Sequence, residues 1–172
     1  MGPVVDPAQQ TTVATYADIA RAEGRILVER LGAGKGCYAP MVIVEGIRPE
    51  HRLAQEEVFG PILADMKAKT FDEALDMANA TRFALTGGVF SRSPKNLETA
   101  KKRLRVGNLY INRNITGALV ERQPFGGAKM SGVGSKAGGP DYLLQFMDPR
   151  VVTENTIRRG FTPIEEGDDW FE

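Results

Sequence analysis

A glycine-rich stretch near the end of the chain carries the clearest chemical signal in the sequence. Residues 123–143 contain six glycines, with Phe125, Lys129, Ser131 and Lys136 between them. Glycine loses the most backbone entropy on folding, so such a cluster is typical of chains that need a positive φ or a close backbone approach. Large apolar groups such as Phe125 favour burial, which argues against a loose surface loop. The pattern predicts a shaped loop that wraps a small ligand, and an unliganded surface loop is the alternative.

Two adjacent carboxylates precede an aromatic residue in the middle of the chain. The run reads Gln55-Glu56-Glu57-Val58-Phe59-Gly60-Pro61. A carboxylate can accept hydrogen bonds from hydroxyl groups, and an aromatic side chain can pack on a flat ring. One interpretation is therefore a ligand site in the turn ahead of a strand. The other is a helix end with solvated acids, and the run alone does not decide between them.

A third polar segment follows a predicted strand. Residues 112–118 read Asn-Arg-Asn-Ile-Thr-Gly-Ala. Ligands of open α/β sheets bind at the carboxyl ends of the strands, which favours a site here. An ordinary polar loop is the alternative interpretation.

Three other features of the chain do not indicate a site. Residues 32–36 resemble a phosphate-binding loop, but their lysine is not followed by Ser or Thr, and a strand follows instead of a helix. A hairpin turn is the better interpretation. Cys37 and His51 are the only residues of their types, and no base or charge pattern ties them together. One cysteine excludes an intramolecular disulfide and a cysteine-built zinc site, and we predict no metal site.

Composition narrows the class of protein. The 172 residues include 22 Lys and Arg and 22 Asp and Glu, so the formal net charge is zero. A net charge of zero does not predict electrostatic attraction to nucleic acid or to an anionic membrane surface. No apolar run is long enough to span a bilayer, and the first residues lack the pattern of a signal peptide. We expect a cytoplasmic location.

Periodicity and capping residues predict the elements that position these segments. The predicted strands are residues 25–31, 39–45, 62–68, 85–91 and 107–112, and the predicted helices are 7–23, 70 or 72 to 80, 93–104 and 141–147, with a short or irregular connection at 49–55. Strands and helices alternate between residues 62 and 112, which favours right-handed crossovers. The predicted fold class is α/β, with a mainly parallel sheet and flanking helices. Residues 151–155 are predicted to be extended, and residues 153–172 to form a tail.

Two of these segments resemble hallmark motifs of the aldehyde dehydrogenase superfamily. Its cofactor motif is similar to Glu56-Glu57-Val58-Phe59-Gly60-Pro61. Its second hallmark is similar to Pro124-Phe125-Gly126-Gly127-Ala128-Lys129-Met130-Ser131-Gly132. The resemblance runs from the first residues to about residue 160, with the two motifs in the expected order. It implies the fold of the C-terminal catalytic domain of these enzymes.

Two further runs resemble one branch, the Δ1-pyrroline-5-carboxylate (glutamate γ-semialdehyde) dehydrogenases. One is residues 107–120, Gly-Asn-Leu-Tyr-Ile-Asn-Arg-Asn-Ile-Thr-Gly-Ala-Leu-Val. The other is residues 135–143, Ser-Lys-Ala-Gly-Gly-Pro-Asp-Tyr-Leu, where many other aldehyde dehydrogenases begin with Arg-Glu. The branch implies oxidation of glutamate γ-semialdehyde to glutamate in proline catabolism, with NAD as cofactor.

The resemblance also implies roles for five residues. Glu57 would hold the ribose hydroxyls of the nicotinamide half of NAD, and Phe59 would pack near the nicotinamide. Gly138 and Gly139 would offer backbone N–H groups to the α-carboxylate of the substrate, which suits a glycine loop as an anion-binding nest. Phe146 would pack against the aliphatic part of the substrate. The choice between NAD and NADP stays open, because the family decides it largely outside this segment.

The family's nucleophilic cysteine, general-base glutamate and Rossmann-like NAD domain lie upstream of the segment that residues 1–6 resemble. Cys37 does not align with the nucleophile. We therefore expect the C-terminal part of a longer enzyme, with residues 1–150 in the aldehyde dehydrogenase catalytic domain and residues 151–172 as a C-terminal arm or tail. We expect the isolated chain to be inactive. Whether a proline dehydrogenase domain also lies upstream, as in bifunctional proline utilisation enzymes, stays open.

The partners implied by the resemblance are an aldehyde substrate, the missing N-terminal part of the enzyme and further copies in a homo-oligomer. Two alternatives stay open. The chain could be a non-catalytic assembly module in which residues 151–156 pair as an edge strand. It could also belong to an aldehyde dehydrogenase of another semialdehyde specificity, although the run Lys136-Ala137-Gly138-Gly139 argues against this.

Overall fold

The chain folds into a mixture of helices and strands, and between residues 62 and 112 a helix lies on either side of the two short strands at 83–84 and 86–89, close to the alternation that the sequence predicted there. A computed structural model describes residues 2–31, 34–117, 119 and 121–155. In chain order the elements are α1 (Pro7–Glu23), β1 (Arg25–Arg30), β2 (Met41–Glu45), α2 (Arg52–Gln55), β3 (Ile62–Asp65), α3 (Phe71–Asn79), β4 (Phe83–Ala84), β5 (Thr86–Val89), α4 (Pro94–Arg103), β6 (Asn108–Ile111), β7 (Ala128–Lys129) and a 3₁₀ turn (Leu143–Phe146). The predicted α/β class is confirmed.

Helix α1 begins where its local sequence predicted. Asp6 is the N-cap, and its carboxylate accepts a hydrogen bond from a backbone N–H of the first turn at 2.7 Å. Pro7 follows at the first helical position, where its missing N–H costs nothing. Val13, Ala17 and Ala20 are buried, and this spacing places them on one helical face.

The buried face of α1 packs on a three-stranded sheet. Strand β2 is its centre, with β1 antiparallel on one side and β3 parallel on the other. Val42 and Val44 of β2 are fully covered, because alternate residues of a strand face the same side. The main core consists of Ala17, Ala20, Val42, Val44, Ile47 and Leu53.

The later strands form two smaller ladders. Strands β5 and β6 are parallel, and α4 makes the crossover between them. Strands β4 and β7 are antiparallel, so the glycine-rich stretch contributes β7 to this part of the fold. Parallel pairing is confirmed for β2 with β3 and for β5 with β6. Within the described residues, however, the strands form three separate sheets and not one, with orders β1-β2-β3, β4-β7 and β5-β6.

The predicted helix at residues 141–147 is a single 3₁₀ turn, so that prediction was wrong. Leu143 and Phe146 within the turn are exposed, and an unpacked segment this short lacks the burial that stabilises an α-helix. Pro149 disfavours helical backbone at the residue before it and closes the segment. Residues 151–155 carry no assigned secondary structure, and residues 156–172 of the predicted arm lie outside the described residues.

Candidate functional site

The two adjacent carboxylates of the first hallmark have different surroundings. Glu56 ends α2, and its carboxylate accepts hydrogen bonds from the Arg52 guanidinium at 2.9 Å and from the Tyr16 hydroxyl at 2.5 Å. Both hydrogen bonds lower the pKa of Glu56 from its ordinary value, and the one from Arg52 has the larger effect. The same Glu56 hydrogen bond, together with burial, raises the pKa of Tyr16. Glu56 is thus a structural acid that fixes the end of α2 against α1.

Glu57 is exposed to solvent. Among the described residues, no side chain pairs with its carboxylate. It lines a cleft of about 310 Å³ together with Phe83, Thr86 and Ser131. The cleft therefore brings the first hallmark and the second hallmark together, and Glu57 is the acid available to a ligand there.

Phe59 projects from the same segment with its side chain 79% exposed. Its backbone has a φ of 51°, in the left-handed region that aromatic residues seldom adopt. Residues 2–5, Gln9, Phe59, Gly60 and Pro61 line a separate cavity of about 380 Å³. Phe59 and Glu57, two residues apart in the chain, thus line different cavities.

The two lysines of the glycine-rich stretch bind backbone oxygens of the chain itself. Lys129 Nζ donates to the carbonyls of Asn79 at 2.7 Å and Thr81 at 2.9 Å, which ties β7 to the end of α3. Lys136 Nζ donates to the Gly127 carbonyl at 2.6 Å and closes the loop on itself. Both ammonium groups therefore shape the loop.

Asn108 supports the loop from the first position of β6. Its side-chain oxygen accepts from the Gly126 N–H at 3.0 Å, and its side-chain nitrogen donates to the Pro124 carbonyl at 2.8 Å. Phe125 and Ala137 then pair as an antiparallel bridge. The sequence reasoning missed Asn108, although a polar amide at the start of a strand next to a glycine is a signal that could have found it.

Gly107 allows the close approach that this support requires. A Cβ atom there would overlap the carbonyl oxygen of Gly126 and lie 2.7 Å from the Cα of Gly127. The glycine-rich stretch therefore packs directly against Gly107, the residue before β6. This is the close backbone approach that a cluster of glycines predicts.

Gly138 and Gly139 form a tight turn near a third cavity. Gly138 has a φ of 74°, and its carbonyl accepts from the Glu121 N–H at 2.9 Å. The Gly139 N–H donates to the Lys136 carbonyl at 3.0 Å, so in this conformation it is engaged within the loop. Gly139 lines a cavity of about 310 Å³ with Pro124, Gly134, Ser135, Lys136, Pro140 and Asp141. The proposed role of these N–H groups stays a prediction.

Phe146 lies on the 3₁₀ turn and is 70% exposed. Its ring meets Tyr142 edge to face, with 5.4 Å between the ring centroids. The five predicted site residues are thus not brought to one pocket. Phe59, Glu57 and Gly139 line three separate cavities, and Phe146 lines none of these three.

The remaining sequence features find ordinary structural positions. The carbonyl of Cys37 accepts from the Val4 N–H at 2.8 Å, and the residue is half-buried. His51 Nδ1 accepts from the Arg48 N–H at 3.3 Å in the turn before α2. No group of three potential metal ligands occurs in the part of the chain that the structure describes. None of the described helices has the length and apolar character needed to cross a membrane.

Comparison with known proteins places this geometry in a family. The profile of the aldehyde dehydrogenase family matches residues 1–152. A curated relative, 1-pyrroline-5-carboxylate dehydrogenase of Geobacillus sp. (strain WCH70), is 47% identical over 155 residues. That match covers 90% of this chain and 30% of the relative, so the chain spans under a third of the relative's length.

Solved structures give the same result. Proline utilization A from Bdellovibrio bacteriovorus is 53% identical with a TM-score of 0.87, and the match covers 96% of this chain and 17% of that one. The 1-pyrroline-5-carboxylate dehydrogenase from Thermus with bound NAD is 45% identical with a TM-score of 0.81, covering 86% of this chain and 29% of that one. The profile match, the shared fold and the two hallmark stretches that meet at one cleft show that the chain belongs to the aldehyde dehydrogenase family.

Proposed function

We propose that this chain works as the C-terminal part of an NAD-dependent dehydrogenase that oxidises glutamate γ-semialdehyde, formed from Δ1-pyrroline-5-carboxylate, to glutamate. Relatives named 1-pyrroline-5-carboxylate dehydrogenase support the reaction, and the Thermus structure with bound NAD supports the cofactor. In this proposal residues 1–150 belong to the catalytic domain, residues 151–172 form an arm, and the enzyme is a cytoplasmic homo-oligomer.

One observation carries the cofactor part of the proposal. Glu56 is held by Arg52 and Tyr16, whereas the neighbouring Glu57 is open on the cleft that also reaches Ser131. An exposed carboxylate with two acceptor oxygens fits a pair of ribose hydroxyls. The exposed ring of Phe59, two residues further along the chain, fits a flat nicotinamide. When bound, NAD would accept the hydride of the aldehyde.

The glycine loop supplies the proposed substrate contacts. Backbone N–H groups of a turn with alternating backbone conformation form a concave donor set for an anion. Gly138 has the left-handed backbone that such a turn uses, and the N–H of the following Gly139 would exchange its bond to the Lys136 carbonyl for one to the substrate carboxylate. Phe146, exposed nearby in sequence, would cover the methylene groups of the substrate. Such positioning can lower a barrier by about 7–11 kcal/mol at its upper range.

The nucleophile and most of the cofactor site would come from residues preceding this segment. The three cavities that hold Phe59, Glu57 and Gly139 are open and separate here. The chain covers only 30% of the Geobacillus relative. We therefore expect the isolated chain to form no NADH with any aldehyde.

The test uses a fusion enzyme in which this chain replaces the matching 155 residues of the Geobacillus relative. Steady-state NADH formation is compared for glutamate γ-semialdehyde, succinic semialdehyde and propanal. We expect kcat/KM for glutamate γ-semialdehyde to exceed the other two by about 100-fold or more, because a site built for a polar group rejects analogues that leave it unpaired. Propanal lacks the carboxylate, and succinic semialdehyde carries it one carbon nearer the aldehyde. Equal turnover of the three aldehydes would remove the substrate assignment.

Two matched pairs of variants test the assigned residues. Glu57→Gln should raise the KM for NAD about tenfold, a loss of about 1.4 kcal/mol, whereas Glu98→Gln on the outer face of α4 should not. Gly139→Ala should reduce the preference for glutamate γ-semialdehyde, because its Cβ would lie 3.0 Å from the Lys136 carbonyl and crowd the turn. Gly34→Ala is the control, since a Cβ there meets nothing within 4 Å. An unchanged KM in Glu57→Gln would argue against the cofactor role.

A second candidate function is a non-catalytic assembly module. Exposed apolar side chains follow one another at the end of the described chain, and they comprise Leu143, Leu144, Phe146, Met147, Val151 and Val152. Several exposed apolar side chains so close together in sequence favour a contact with another protein surface. Sedimentation of the chain with and without the residues after Pro149 tests this function. The same monomer in both cases would argue against it.

A further inference from the structure

The backbone of Phe59 is held by a side chain from a distant part of the chain. Gln9, in the first turns of α1, donates from its side-chain nitrogen to the Val58 carbonyl at 2.7 Å and to the Phe59 carbonyl at 3.0 Å. A glutamine amide carries two N–H donors, so both are used on two successive carbonyls. The contact spans 49 and 50 residues of sequence.

Two successive carbonyls can meet one amide only if the backbone turns between them. In an extended strand successive residues face opposite sides, so neighbouring carbonyls diverge. Phe59 avoids this through its φ of 51°. Left-handed backbone is unfavourable for a residue with a Cβ and persists where the surroundings determine it. The two hydrogen bonds from the Gln9 amide stabilise this backbone conformation directly.

Helix α1 contributes a second constraint at the next residue. Gly60 lies so close to α1 that a Cβ there would overlap a methyl group of Val13. Asp6 fixes the start of the helix through its cap, and so determines where the side chain of Gln9 begins. The start of α1 and the turn at Phe59 are therefore joined both by hydrogen bonds and by close packing.

We propose that Gln9 is a positioning residue that orients Phe59 toward the cofactor. By fixing the carbonyls on both sides of the turn, it directs an aromatic ring that is otherwise 79% exposed along the cavity lined by residues 2–5. This inference rests on the proposed function, in which Phe59 packs near the nicotinamide. It assigns to Gln9 an effect on NAD binding that operates through Phe59.

Gln10 provides a matched control. It is the adjacent residue of α1, and its side-chain nitrogen also donates to a backbone carbonyl, that of Tyr38 at 2.7 Å. Gln9→Met and Gln10→Met remove the same chemical group from the same helix, and methionine keeps the length and helix propensity of glutamine. Gln9→Glu is a second variant, because its carboxylate only accepts hydrogen bonds and cannot bind two carbonyls.

The first measurement is NMR of the 172-residue chain. In the unsubstituted chain, we expect slow solvent exchange of the Gln9 side-chain amide. In Gln9→Met and Gln9→Glu, the backbone couplings and shifts of Phe59 and Gly60 should move away from left-handed values. In Gln10→Met they should not. Unchanged Phe59 signals in both Gln9 variants, or equal changes in Gln10→Met, would overturn the proposal.

The second measurement is the kinetics of the fusion enzyme. Gln9→Met should raise the KM for NAD about tenfold and leave kcat and the aldehyde KM within about twofold, as expected for the loss of a binding contact that is equal in the ground and transition states. Gln10→Met should leave all three within about twofold. An unchanged KM for NAD in an active Gln9→Met enzyme would overturn the cofactor role. If the unsubstituted fusion enzyme forms no NADH, the proposed function and that role both fall, and the NMR comparison alone then decides whether Gln9 holds Phe59.

Discussion

Two regions of the molecule are held together by different forces. The core region, residues 7–66, contains the whole main cluster of buried apolar side chains. The loop region, residues 107–147, contributes only Tyr110 to the buried apolar residues described. In place of a core it has hydrogen bonds from Asn108, Lys129 and Lys136 to backbone groups. An amphipathic helix and a sheet thus support the first hallmark motif, whereas hydrogen bonds from side chains to the backbone shape the second.

The difference explains where apolar surface is left uncovered. Met130, Val133, Leu143 and Phe146 of the loop region are all more than two-thirds exposed. Hydrogen bonds fix a backbone shape without covering side chains, whereas burial does both. The loop region therefore presents a formed but uncovered surface, which is consistent with a segment that completes a larger enzyme.

The largest expected effect comes from Gly107→Ala. Its Cβ would overlap the Gly126 carbonyl, and backbone atoms cannot move aside easily. We expect a loss of about 3 kcal/mol in the stability of the loop region. Amide hydrogen exchange should speed up in β5, β6 and residues 123–139, and stay unchanged in the core region. Gly117→Ala, which meets nothing within 4 Å, is the control. Equal acceleration in both regions would show that they unfold as one unit.

Val44→Ala tests the core region in the same way. Val44 is 0% exposed, and removing two methyl groups leaves a cavity beneath α1. We expect about 2 kcal/mol of destabilisation in urea unfolding. Val133→Ala, at a position that is 91% exposed, should change the midpoint little. A comparable loss in both variants would contradict the assignment of the apolar core to the first region.

Lys129→Met tests the side-chain hydrogen bonds that hold the loop region. The substitution removes the donors to the Asn79 and Thr81 carbonyls and keeps most of the side-chain length. We expect a loss of about 2 kcal/mol, since two hydrogen bonds with a usual net value of about 1 kcal/mol each are removed. Lys101→Met removes only an exposed ion pair with Glu98 and should cost about 0.5 kcal/mol or less. If the two variants unfold at the same urea concentration, the tie at Lys129 contributes nothing to stability.

The smallest expected effect is a pH dependence in the core region. Arg52 and Tyr16 lower the pKa of Glu56 below its ordinary value of 4.5. A carboxyl with a lowered folded-state pKa adds stability above its unfolded pKa, and that stability is lost as the pH falls through the folded value. Glu56→Gln should therefore be less stable than the unsubstituted chain near neutral pH. The difference should shrink as the pH falls below 4.5 in urea titrations. A constant difference across this range would show that the charge of Glu56 is not the cause.

Local signals in the sequence predicted most elements correctly. Asp6, Pro7 and the apolar spacing of residues 13–20 fixed α1, because caps and periodicity act within a few residues. Thr70 and Ser93 likewise cap α3 and α4 where the sequence indicated. The prediction for residues 141–147 was wrong, since a helix there needed burial that this segment lacks.

By itself, the sequence determined the order of the elements, the family resemblance and the need for a tight glycine loop. Only the tertiary structure decided which of two adjacent acids is open, because Tyr16 approaches Glu56 from 40 residues away. It also showed that Lys129 and Lys136 bind backbone, and that Gln9 holds the turn at Phe59. Propensity and spacing act along the chain, whereas the partner of a polar side chain is set by packing between distant segments.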